Sequence, residues 1–270
     1  MSTKIERGLV ETSFGYLHYR AAGAGTPIML LHVNQQSSAL WLEMMEALAP
    51  AMRVVAVDYP SHGGSDHIAN QPTIADYARA IIEVADALGL ERFAVLGEAT
   101  GAAVAADLSG DYASRVSKIV MINCPVNKES PEEMLAPFKG TFRPADPTGF
   151  PALRTLEFIL ETDPRHSPMH PTQDWMDRVN RAQIESGRDR WQALTALAHY
   201  DMIAGLGRVA HPVMLFTTEH FYFREHLPEI FATLGDRLAA AHDIPGGRVC
   251  AGWEFAHQIG PQVFAFAAGR

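Results

Sequence analysis

The apolar positions change rhythm along the chain, and each change marks an element. Residues 8–22 alternate apolar and polar about Gly15, the period-two pattern of a β-hairpin. Residues 27–32 (P-I-M-L-L-H) form a continuous apolar run, as expected of a strand covered on both faces of a parallel sheet. Ser38 caps a predicted helix through Leu48, which places Trp41, Met44, Met45 and Leu48 on one face. Residues 53–58 predict the next strand, which runs into a polar loop, Y-P-S-H-G-G-S-D. Thr73 caps a helix predicted over 74–88, and Gly89 closes it. A buried strand over 92–96, an Ala-rich helix over 99–108 and a strand over 118–123 follow.

From Pro125 to His211 the rhythm differs. Six prolines (125, 131, 137, 144, 147 and 151) make the first part too irregular for sheet. Helical patterns then run over 152–161, 172–186 and 190–204. The β-α rhythm resumes over 212–217, with a helix near 225–234, a strand near 238–244 and a terminal helix after Pro261. This alternation predicts an α/β fold built on a mostly parallel, doubly wound sheet with right-handed crossovers. The expected organisation is a core domain of residues 1–125 and 212–270, with a helical insertion over 126–211 covering one end of the sheet.

Composition narrows the function classes. A chain of 270 residues with 47% hydrophobic content suits one large domain. The net charge of -9 argues against nucleic-acid and anionic-membrane partners. The start, M-S-T-K-I-E-R-G, has no apolar leader, and no segment approaches a membrane span, so a cytoplasmic protein is expected. Cys124 and Cys250 have no metal-ligand spacing and are assigned to packing. A homodimer is compatible with the sequence, which does not decide it.

The candidate chemistry centres on Gly97-Glu98-Ala99-Thr100-Gly101, between a buried strand and a helix. That layout is a nucleophile elbow, G-x-S-x-G, in which the central residue projects from the strand's carboxyl end. Here the central residue is alanine. The frame is then a generic strand–Gly–helix junction, a hydrolase descendant that needs no serine, or a serine enzyme carrying Ser→Ala.

Four pieces in order resemble the α/β-hydrolase family over nearly the whole chain. Leu30-Leu31-His32 resembles the family's L-H-G, and Val57 to Asp66 is similar to its D-x-P-G-x-G-x-S-D. The elbow frame and the helical insertion between strands 6 and 7 are the other two. Residues 32–41 also resemble a loop of haloalkane dehalogenases, H-G-N-P-x-S-S-x-x-W, although those enzymes carry aspartate as nucleophile.

What the resemblance implies is a Ser-His-acid hydrolase of an ester, lactone, thioester or related bond in a small-molecule substrate, with a helical cap. The sequence has no G-x-G-x-x-G, P-loop or Cys cluster, so no cofactor is expected. The nucleophile position is Ala99. Oxyanion donors would be the N–H of Thr100 and that of Val33 or Asn34, while Asn34 or Gln35 could add a side-chain donor. The base is expected at His257, although Glu254 falls at the usual histidine position when the loop is aligned from Pro261. The acid is expected at Glu219, because Phe221 stands at the usual aspartate position; Asn123, Asn127, Glu129 and Glu98 are the other options. His32, Gln35, Trp175, Trp191 and Phe221 are expected to line the substrate pocket. His62 and His67 read as solvated loop residues. His166 and His170 have metal-like spacing, but Pro168 between them and the lack of a third ligand argue against a metal. The leading expectation is a hydrolase disabled at Ala99. The alternative is a protein without a natural nucleophile that binds a small molecule, or acts as an acid–base lyase or isomerase.

Overall fold

In a computed structural model, residues 3–136 and 164–269 are described. The predicted helix over 152–161 lies outside them. Eight strands form one sheet: β1 Glu6–Thr12, β2 Gly15–Ala22, β3 Thr26–Leu31, β4 Met52–Val57, β5 Phe93–Glu98, β6 Val116–Ile122, β7 Val213–Thr218 and β8 Leu238–Ile244. Their spatial order is β1-β2-β4-β3-β5-β6-β7-β8. The hairpin β1–β2 joins β4 antiparallel, and the pairings from β4 through β8 are parallel.

The continuous apolar runs have a simple origin. Side chains alternate across a strand, so a strand covered on both faces needs apolar residues at every position. In β3, Met29 and Leu31 enter one core while Ile28 and Leu30 enter the other. The first core is closed by α2 (Ile74–Ala87) and α3 (Thr100–Asp111), and the second by α1 (Leu42–Leu48) and a terminal helix starting at Ala256. Thr73 and Asp76 form the reciprocal capping box that starts α2: the Thr73 hydroxyl accepts from the Asp76 N–H, and the Asp76 carboxylate from the Thr73 N–H.

Between β6 and β7 the described residues form α4 (Pro131–Leu135), α5 (Gln173–Ser186), α6 (Gln192–Ala198) and α7 (Met202–Arg208). The single helix predicted over 190–204 is thus two. Asp201 caps the second by accepting from the Ala204 N–H at 2.9 Å, which competes with continuing the first. After β7 comes α8 (Leu227–Leu234), and after β8 come α9 (Ala251–Glu254) and α10 (Ala256–Ala268).

The last helix therefore begins earlier than expected and contains Pro261. Ile259, Val263 and Ala267 recur at four-residue spacing and are buried in the second core. That stripe offsets the one backbone bond the proline cannot donate. His257, expected on a loop, lies within α10 instead.

Candidate functional site

The elbow is formed where β5 meets α3, and its backbone is strained. Ala99 has φ 49° and ψ -109°, a region that residues with a Cβ rarely occupy. The glycines on either side serve another purpose. A Cβ on Gly97 would overlap the Gly101 carbonyl, and one on Gly101 would overlap the Leu31 carbonyl. They let α3 lie directly against β5 and β3, and the positive φ falls on the alanine.

Ala99 is buried at the N-terminus of α3. The Thr100 N–H is in the first helical turn, where no intrahelical acceptor exists. Beside it is Asn34, whose Oδ1 lies 3.4 Å from the Thr100 hydroxyl. Val33 is buried in the second core. The three residues expected to supply oxyanion donors are therefore neighbours at one end of the sheet.

The loop carrying Val33 and Asn34 is braced from below. Asp58, at the end of β4, accepts hydrogen bonds from His18 Nδ1 at 2.8 Å, from the Gly64 N–H at 2.9 Å and from the Ser38 N–H. Burial pushes its carboxyl up, but His18, His32 and the Ser38 amide outweigh that and hold it below the ordinary aspartate value. His32 is fully buried, with Nδ1 2.8 Å from the Val33 carbonyl. Its Nε2 accepts from the Tyr59 N–H at 3.2 Å. Both ring nitrogens are thus engaged by backbone, so His32 supports the loop and has no nitrogen free for a ligand. Burial lowers its pKa, consistent with a neutral ring.

His62 departs from its sequence reading. It is completely buried, packs against the His32 and Tyr77 rings and has its pKa lowered by burial to about 4. The glycine-rich loop folds under the sheet end here, which its polar composition does not announce. His67 is exposed as expected, and its Nδ1 pairs with Asp189 at 2.8 Å.

The residue before Ala99 has the most unusual surroundings. Glu98 ends β5 and is fully buried. Its Oε1 accepts from the N–H groups of Cys250 (3.0 Å) and Ala251 (2.9 Å), and its Oε2 from that of Gly252 (3.1 Å). Gly252 is required there, because a Cβ would strike the Trp41 ring and Glu98. Burial raises the Glu98 pKa to about 7, against the opposing effect of the three amides and the Asn123 side chain. The loop after β8, where the resemblance placed the base, thus directs its amides onto the carboxylate beside the elbow.

Neither expected triad partner is joined to Ala99. His257 is exposed on α10 and makes no hydrogen bond among the described residues. Glu219 is also exposed, and its Oε2 accepts from the Gly246 N–H at 2.7 Å. Phe221 is buried. Asn123 is buried too, with its Oδ1 accepting from the Thr218 N–H and hydroxyl at 3.0 and 2.9 Å. Glu254 accepts from the N–H groups of Met169 and His170 at 2.9 and 3.0 Å, tying α9 to the segment before α5. Sequence reasoning raised Glu254 only as a rival base. Nothing local in the sequence marks its amide-binding role, because the two N–H groups it accepts from lie more than 80 positions away.

Of the expected pocket residues, Gln35 bridges to α5, where the Gln183 amide donates to its carbonyl (3.2 Å) and its side-chain oxygen (2.9 Å). Trp175 is buried, its ring 6.4 Å from that of Trp253. Trp191 is buried in the first core. Cys124 and Cys250 are free and buried, as the packing assignment requires. Among the described residues, no group of three or more His, Cys, Asp or Glu side chains could hold a metal. No described helix is long and apolar enough to cross a membrane.

Comparisons with known proteins agree with this architecture. Haloalkane dehalogenase 2 of Mycobacterium tuberculosis (strain ATCC 25618 / H37Rv) is 34% identical over 114 residues, which are 42% of this chain and 40% of that protein. The matched segment thus spans about two fifths of that relative's length. Among solved structures, the enol-lactonase from Burkholderia xenovorans LB400 superimposes with a TM-score of 0.76 at 17% identity, over 97% of this chain and all of that one. Carboxylesterase CesB from Bacillus subtilis does so with a TM-score of 0.76 at 20% identity, covering 99% of this chain and 93% of that one. A family profile described as alpha/beta hydrolase fold matches residues 26–222. With its parallel sheet, its elbow and this match over most of its length, the chain belongs to the α/β-hydrolase fold family.

Proposed function

We propose that this chain is a hydrolase-fold protein that binds a small carbonyl compound at the elbow without attacking it. The observation that carries this reading is Ala99 at the nucleophile position, with the loop after β8 folded onto Glu98 and the expected base, His257, exposed on α10. Acyl transfer needs a nucleophile and a base within hydrogen-bond reach of each other. What the elbow retains is the donor side: the Thr100 N–H and the Asn34 loop, which suit the oxygen of an ester, lactone, thioester or ketone. The described helices between β6 and β7 act as a cap over that position, and Gln35 and Gln183 join α5 to the core loop.

A second reading is favoured by the strain at Ala99. A backbone at φ 49° is costly for alanine, and it is the conformation a nucleophilic serine uses. On that reading serine belongs at this position and the protein hydrolyses esters, lactones or thioesters.

Ala99→Ser separates the two. On a panel of activated esters, lactones and thioesters, we expect no gain in turnover, with intact esters bound equally by both forms in ligand-observed NMR. A gain of about 10³-fold or more, lost again in Ala99→Ser/His257→Ala, would overturn the binding reading and establish a disabled serine hydrolase.

A further inference from the structure

A cleft of about 430 Å³ is lined, among the described residues, by Pro164, Arg165, His220, Phe221, Tyr222, Glu225 and Arg248, none of which belongs to the elbow. It collects the loop after β7, the loop after β8 and the chain entering α5. From its lining we infer a binding site for a small anion, a carboxylate or phosphate carried on a flat apolar body.

Its charge runs against that of the molecule. The chain as a whole carries -9, whereas the described residues that line the cleft include two guanidinium groups and one carboxylate, that of Glu225. Arg224, on the same loop, pairs with Asp243 at 2.9 Å.

The arginines are held rather than dangling. The Arg165 guanidinium lies over the Tyr222 ring, 4.0 Å from its centre, which fixes its plane. Arg248 donates through Nη1 to the Pro164 carbonyl at 3.2 Å, and that nitrogen lies 3.4 Å from the Ser167 hydroxyl. The Val249 N–H donates to the Arg165 carbonyl at 3.3 Å, so the two arginine-bearing segments are pinned together. A guanidinium has five N–H donors in a planar fork. Among the described residues, only Nη1 of Arg248 is engaged, which leaves Nε and Nη2 to meet a two-oxygen anion.

The apolar part of the ligand follows from the other lining residues. Phe221 is buried, and its ring lies 6.3 Å from that of Tyr222, edge to face. The pair offers an aromatic wall behind the cations. An aryl or short unsaturated acid therefore fits better than a compact inorganic ion, because the cations supply orientation and the wall supplies buried area. This inference does not rest on the reading of the elbow, since no lining residue belongs to the oxyanion loop, Ala99 or α3.

The probes are benzoate, phenyl phosphate and inorganic phosphate, with benzamide as the neutral control. Each is titrated into the full-length protein, read by calorimetry and by ligand-observed NMR. We expect benzoate or phenyl phosphate to bind in a way that depends on Arg248, and any binding of benzamide to be unchanged in Arg248→Gln; which of the two anions binds tighter assigns the head group as carboxylate or phosphate. Arg248→Gln should weaken binding about ten-fold or more, as expected for losing a charge-assisted pair. Arg165→Gln should also weaken it, and Glu225→Gln should tighten it by removing the opposing charge. Ala99→Leu, which fills the elbow, should leave it unchanged. Absence of binding by all three anions up to about 10 mM would overturn the proposal. So would binding that persists in Arg165→Gln/Arg248→Gln, or that is lost in Ala99→Leu. Should Arg248→Gln fail to fold, the exposed Arg165→Gln and Glu225→Gln variants, with their opposite expected signs, still decide the matter.

Discussion

Glu98 should make the protein less stable as pH rises through the weakly acidic range, the reverse of the usual behaviour of a bonded carboxylate. Its ordinary value is 4.5, and burial lifts it to about 7 in the folded protein. Between those values the folded state holds a proton that the unfolded state has released. Stability therefore falls with rising pH across this window, is fully present below about 4.5 and levels off above about 7. At about 1.4 kcal/mol per pH unit, the full window corresponds to about 3 kcal/mol as an upper bound.

Glu98→Gln isolates this contribution, because the amide is neutral at every pH. The substitution has its own constant cost. A carboxylate offers an oxygen to each amide group, whereas glutamine would turn its NH₂ toward a donor such as the Gly252 N–H, costing about 1–3 kcal/mol. The informative quantity is the difference between the two proteins as pH changes. Urea unfolding, followed by tryptophan fluorescence, should show wild type losing about 2–3 kcal/mol relative to Glu98→Gln from about pH 4.5 to about pH 8. All other titrating groups cancel in that difference. A flat difference, or one that grows in favour of wild type with pH, would refute the reasoning. It would mean that the three amides outweigh burial and keep Glu98 ionised throughout.

Three further outcomes follow from local geometry. Ala99→Gly should stabilise the protein by about 1 kcal/mol in the same unfolding assay, because glycine reaches the observed torsions without strain. Gly101→Ala should destabilise it by about 3 kcal/mol or more, since the new methyl group overlaps the Leu31 carbonyl and α3 must lift from the sheet. Glu254→Ala should cost about 1–2 kcal/mol and raise amide hydrogen exchange at Met169 and His170, whose N–H groups lose their acceptor.

The sheet was legible because burial on both faces leaves a one-dimensional trace, a run of apolar residues such as 27–31. Helix starts at Thr73 and Thr172 were legible for the same reason: the cap is a local bond between near neighbours. The elbow frame was readable from two glycines, although what they accommodate is the approach of α3 rather than the positive φ. The surroundings of the site were not readable. Glu98 meets Cys250 to Gly252 across more than 150 positions of chain, and nothing local to either segment encodes that meeting. The misplacement of His257 has a single cause. A proline favours a helix start at Pro261, whereas the buried stripe of Ile259, Val263 and Ala267 carries that helix back to Ala256. The burial of His62 likewise depends on Tyr77, which arrives from α2.

The torsions at Ala99 make this position a mounting point. An elbow aims whatever side chain it holds away from the strand end, and a helix N-terminus favours the thiolate, so a cysteine placed there would be the most reactive thiol of the three. The two native thiols would not compete with it. Cys124 and Cys250 are buried, and burial pushes both well above the ordinary thiol value, leaving little thiolate to react. A spin label or fluorophore attached at that one address would report when the space beside Asn34 fills, turning a vacant nucleophile position into a sensor of whatever this protein binds.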